Sequence, residues 1–154
     1  MAADDVLINN SATVERCVTR AREEYAYDPA NFANDFTRQD AATLNVQRAC
    51  EAVLAMGHHI VRREGLGVPQ SARDVFELMA RAGWIDASLA KALKRMVAFR
   101  NIAVHDYQSL ILPILVNVIT GHLDEFLTFT RTMLQRGYPC QHPPAYQSRG
   151  TQLA

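Results

Sequence analysis

Apolar residues recur three and four positions apart along most of the chain. Between about Asp5 and Tyr27, Val14, Cys17, Val18, Ala21 and Tyr25 share one stripe, the period of an amphipathic helix, and Asp28-Pro29 closes it. A longer stripe of Phe36, Leu44, Cys50, Val53, Leu54, Ile60 and Val61 predicts a second helix from about Asn34 to Glu64. The connection between them is short, so the two should be antiparallel neighbours. Gly65-Leu-Gly-Val-Pro-Gln interrupts the pattern, because glycine adds chain entropy and proline removes a backbone donor. Ser71, three residues before Asp74, reads as a capping box that opens a short helix through Phe76, Leu78 and Met79, with Gly83 ending it. Asp86 or Ser88 can cap the next helix, which carries Leu89, Leu93, Met96 and Val97 and should end near Val104. A single last helix is expected from about Leu112 to Gln135, with Pro113 in its first turn and Gly137 as its stop.

Nothing alternates with period two for long enough to predict a strand. The expected fold is therefore all-α, an up-and-down bundle of four longer helices and one short one. One domain should cover residues 1–137. Residues 138–154, rich in proline, glutamine and small polar residues, read as a flexible tail. Leu110 to Ile119 is apolar almost all the way round, and a helix of that kind is buried on several sides. In a bundle this small, self-association would bury the surplus, so a homodimer is expected.

Composition narrows the function. At 154 residues the chain can bury a core without disulfides or a metal. Sixteen basic residues balance sixteen acidic ones, so no global field draws it to nucleic acid or an anionic membrane, and any RNA contact must be local. Cys17, Cys50 and Cys140 show no C-x-x-C spacing and read as reduced thiols of a cytoplasmic protein. The start, Met-Ala-Ala-Asp-Asp, does not resemble a signal peptide. The most apolar run, Leu110 to Thr120, is far shorter than the roughly 20 residues of a membrane helix. No metal site is expected: His58 and His59 are adjacent rather than four apart, and Cys140 with His142 supplies too few ligands. Gly65-Leu-Gly67 lacks the strand and helix context of a phosphate loop, which argues against ATP as the chain's own substrate.

One constellation carries chemistry. Lys91, Lys94, Arg95 and Arg100 lie in ten residues without an acid, and Arg-Asn-Ile-Ala-Val-His-Asp-Tyr occupies residues 100–107. Arg100 can grip a phosphate through two parallel hydrogen bonds, Asn101 is a neutral donor and acceptor, and His105 can exchange protons near neutral pH. RNA brings its own nucleophile. An enzyme need only remove the 2′-hydroxyl proton, stabilise charge on the phosphate and protonate the leaving 5′-oxygen. Five residues of helix turn about 500°, however, so His105 would point about 140° away from Arg100. Either the helix ends between them and turns His105 back, or facing copies of the motif from two chains complete one cleft with two histidines.

Residues 100–107 resemble the R-x4-6-H signature of HEPN domains. In the R-x4-H-x-Y form they resemble the HepT toxins of type VII toxin–antitoxin modules. Leu44 to Glu51, Pro69 to Phe76 and Lys94 to Val97 are similar to HepT sequence as well, so the resemblance spans about residues 5–135. It implies a HEPN-like bundle and a metal-independent endoribonuclease that needs no cofactor, with Arg100 and His105 as catalytic pair, Asn101 orienting them, and the site at a dimer interface. It further implies an MntA-like minimal nucleotidyltransferase antitoxin that uses ATP and magnesium to attach AMP to Tyr107. Phosphate charge there would repel and block RNA. A different class is also open, a non-catalytic HEPN subunit that presents substrate or regulates a nucleotidyltransferase.

Overall fold

The side chain of Asp4 caps helix α1 (Asp5–Ala26) by accepting the Leu7 amide proton at 3.3 Å. Two residues from the end of α2 (Phe36–Arg63) converge on the same carboxylate, His59 at 2.6 Å and Arg63 at 2.8 Å. At the other end of the pair, Glu24 accepts from Arg38 at 2.9 Å and is also paired with Arg20. Start meeting end at both places makes α1 and α2 antiparallel, as their short connection predicts. Asp35 caps α2 at the Arg38 amide, after a 3-10 turn at Phe32–Asn34. In this computed structural model, which describes residues 4–105 and 112–137, the chain continues through α3 (Ala72–Arg81), α4 (Ala87–His105), α5 (Leu112–Gly121) and α6 (Leu123–Gly137). No strand occurs among the described residues.

The stops and starts have local causes. Gly65 and Gly83 adopt φ of +61° and +77°, a region that costs other residues strain. Each is followed by an amide that reaches back over the helix end, Leu66 to the Val61 carbonyl and Trp84 to the Met79 carbonyl, both at 2.9 Å. Ser71 accepts from the Asp74 amide, and the Asp74 carboxylate accepts in return from the Gln70 amide. Asp86 caps α4 at the Leu89 amide, 2.7 Å away.

A single core runs through the bundle. α1 packs most extensively on α2 and contacts α6, while α4 is held by α2, α3 and α6. Phe32, Phe76, Phe126 and Phe129 are its largest fully buried side chains, and Phe76 meets Phe129 edge-on at 5.9 Å. α2 and α3 approach so closely at Gly57 that a Cβ there would lie 2.7 Å from a methyl of Val75. Gly57→Ala is therefore expected to destabilise the fold by about 1–3 kcal/mol through overpacking. Equilibrium urea unfolding checks this, and an unchanged midpoint would contradict so tight an α2–α3 contact.

Three expectations need correction. The single last helix is two, α5 and α6, with a turn at His122. Gly121 weakens the helix there; the His122 amide still bonds to the Val118 carbonyl at 3.0 Å, while its ring meets the side chains of Asn117 and Glu125. Phe36, placed on the buried stripe, is 72% exposed at the first position of α2, and Leu44 is also exposed. His58, whose helical position also allowed a place in the core or at an interface, is exposed, which excludes the core; its neighbour His59 makes the structural contact. Cys17 and Cys50 are buried free thiols, as expected. Tyr107, Cys140, His142 and the expected tail at 138–154 lie outside the described residues. Among those described, no helix is long and apolar enough to cross a membrane.

Candidate active site on helix α4

Helix α4 buries Ala90, Leu93, Met96, Val97 and Ala103 against the bundle, which fixes the directions of everything else it carries. It runs without a break through His105. The turn that would have brought His105 back toward Arg100 is absent. Their side chains diverge by about 140° and are separated by about 7.5 Å along the axis. Asn101 and His105 are exposed, with Ile102 and Val104 between them, apolar residues 40% and 42% exposed.

Arg100 is half-buried and leans toward Cys50 of α2. Its Nε is enclosed with no hydrogen-bond partner among the described residues. Burial pushes the Cys50 thiol up to about 12, outweighing the nearby Arg100 charge, which acts the other way. Cys50 therefore stays protonated at neutral pH and is placed within 3.7 Å of the Met96 carbonyl. It supplies a neutral wall rather than a counter-ion. A guanidinium with an unsatisfied edge and no carboxylate against it among the described residues suits an anion arriving from outside.

The basic stretch before the motif is less free than its sequence suggested. Lys94 pairs with Glu77 of α3, which Arg81 also contacts at 3.3 Å. These cations hold the Glu77 carboxyl below its usual range, Lys94 acting most strongly. Arg95 has no partner among the described residues.

On the Arg95 side of α4, a cavity of about 350 Å³ opens between α4, α5 and α6. Met96, Phe99 and Val118 form its apolar floor, with Ile102 and Ile114 at its sides. Asn117, His122 and Glu125 form a polar edge, the His122 ring lying 3.3 Å from the Asn117 amide and 3.1 Å from the Glu125 carboxylate. Sequence reasoning did not find this cluster. His122 and Glu125 have ordinary helical spacing, but Asn117 and His122 are five residues apart, a spacing that does not by itself point to a contact.

Comparison with known proteins identifies the family. Residues 14–133 match the family model described as ribonuclease HepT-like. An mRNA nuclease HepT from Shewanella oneidensis is 48% identical over 126 residues, which is 82% of this chain and 94% of that protein. A crystal structure of a toxin–antitoxin with AMP-PNP superposes with a TM-score of 0.81 at 45% identity, covering 84% of this chain and 98% of the other. A tri-AMPylated Shewanella oneidensis HEPN toxin in complex with MNT antitoxin also gives 0.81, at 46% identity, with 84% and 97% covered. With an all-α bundle of the same shape and the family match extending across α4, the chain belongs to the HepT-like ribonuclease family.

Proposed function

We propose that this protein is the toxin of a toxin–antitoxin pair, an endoribonuclease that cuts messenger RNA without a metal or cofactor. The observation that carries the mechanism is the unbroken course of α4 through His105. One chain cannot aim Arg100 and His105 at one phosphate, so the cleft forms between two copies and holds a histidine from each. The surface beside the motif suits such a contact, since Val104, one residue before His105, is apolar and 42% exposed.

In this cleft one His105 imidazole takes the 2′-hydroxyl proton, and the 2′-oxygen bonds to phosphorus. The bond to the 5′-oxygen breaks, and the second imidazole, protonated, gives that oxygen its proton. The products are a 2′,3′-cyclic phosphate and a 5′-hydroxyl. Arg100 holds the charge that builds on the phosphate oxygens, and Asn101 orients the group. The intact Arg100, Asn101 and His105 favour this enzyme over a non-catalytic subunit.

Control would come from a cytoplasmic nucleotidyltransferase antitoxin. It would transfer AMP from ATP to the Tyr107 oxygen with loss of pyrophosphate, using magnesium. The Shewanella oneidensis toxin described as tri-AMPylated and bound to MNT antitoxin supports this reading. Tyr107 is two residues from His105, so each AMP brings phosphate charge to the mouth of an anion-binding cleft. Co-expression with the cognate nucleotidyltransferase is expected to add mass in AMP-sized steps, as intact-mass spectrometry reads directly. The steps should vanish in Tyr107→Phe; their persistence there would place the modification elsewhere.

A further inference from the structure

We propose that the cavity between α4, α5 and α6 is a base subsite, which takes one nucleobase of the RNA beside the phosphate that His105 works on, with Asn117 reading the edge of that base. The inference rests on the ribonuclease reading above and adds where sequence preference arises.

Size and lining suit this ligand. About 350 Å³ is near the lower end for small-molecule sites, room for one nucleoside rather than a cofactor. The floor of Met96, Phe99 and Val118 is apolar, and Ile102 and Ile114 are 40% and 45% exposed at its sides. A flat aromatic ring entering there would cover side chains now open to water.

The polar edge supplies orientation. His122 lies between two partners, the Glu125 carboxylate at 3.1 Å from Nδ1 and the Asn117 amide nitrogen at 3.3 Å from Nε2. The carboxylate accepts from an Nδ1–H, which leaves Nε2 as an acceptor for one N–H of Asn117. The chain Glu125–His122–Asn117 thereby fixes which way the amide points. Its oxygen and second N–H remain available as an acceptor beside a donor, the pairing by which an asparagine recognises a base edge.

Position and charge connect the cavity to the reaction. Arg95, Ala98 and Ile102 line it and lie along one stripe of α4. His105 follows Ile102 by three residues and Ala98 by seven, so it sits on that stripe about one turn further on. Arg100 faces the opposite way, toward Cys50. Arg95, without a partner among the described residues, offers a cation at the cavity wall for a neighbouring phosphate of the same strand. An apolar segment of another protein would cover the floor but leave Arg95 and the oriented amide unmatched.

Two measurements test this independently of each other. His105→Ala protein with labelled isoleucine methyls is titrated with the four nucleoside 3′-monophosphates. The Ile102 and Ile114 signals should shift, and Asn117→Ala should weaken the preferred nucleotide about tenfold, the effect of one lost hydrogen bond. The wild-type enzyme is then given a randomised-sequence RNA, and the cut ends are sequenced. A base preference at one fixed position next to the cut should appear and be lost in Asn117→Ala. Mononucleotides that leave both isoleucines unmoved, or a preference unchanged by Asn117→Ala, would overturn the base subsite while leaving the ribonuclease intact. A chain that shifts with mononucleotides but cuts no RNA would instead sink the ribonuclease reading and keep the subsite.

Discussion

Replacing His105 with alanine is expected to lower RNA cleavage by roughly 10⁴-fold, because a cleft with two such replacements loses both its proton acceptor and its proton donor. Induced in cells without the antitoxin, the wild-type chain should arrest growth and His105→Ala should not. Stability gives no competing explanation, since His105 is exposed at the end of α4 with no partner among the described residues. Thermal unfolding should change by no more than about 0.5 kcal/mol. Equal growth of the two cultures, or equal cleavage by the two proteins, would remove His105 from the chemistry.

Arg100→Ala should cost about 10²- to 10³-fold in kcat, the usual effect of removing one group that stabilises developing charge. Arg100→Lys should recover only part of it, because an ammonium restores charge but not the two parallel donors. Single-turnover cleavage at saturating RNA separates this from binding, with the loss appearing in the rate constant rather than in the RNA concentration needed. The lysine variant also guards against a packing artefact, since its stem fills much of the space beside Cys50. Wild-type rates in Arg100→Lys would mean that simple charge suffices at this position.

Much of this molecule was legible in its sequence because its helix ends are made locally. Ser71, Gly83 and Asp86 act within three or four residues of themselves, and each does what its residue type predicts. The break at His122 was not legible. Gly121 leaves the apolar period intact, and the His122 side-chain contacts depend on the turn they accompany. Long-range pairing was equally hidden. Lys94 looked like a free cation until Glu77 arrived from α3, seventeen residues away.

The candidate residues themselves were readable from their chemistry, and spacing already limited how Arg100 and His105 could cooperate. What spacing left open was whether the helix stops between them, which depends on how α4 packs as a whole. The cavity was out of reach of any local pattern, because its walls come from three helices and its polar edge from the break between two of them.

A mixed dimer puts the shared cleft to its most direct test. Wild-type and His105→Ala chains carrying different affinity tags are co-expressed, and dimers holding one of each are isolated through both tags in turn. With one His105 from each chain in a single cleft, the mixed dimer lacks either its acid or its base and should cleave RNA at no more than about a tenth of the wild-type rate. A mixed dimer that retains half of the wild-type activity would show that each chain's histidine serves a separate site, and would contradict the shared cleft.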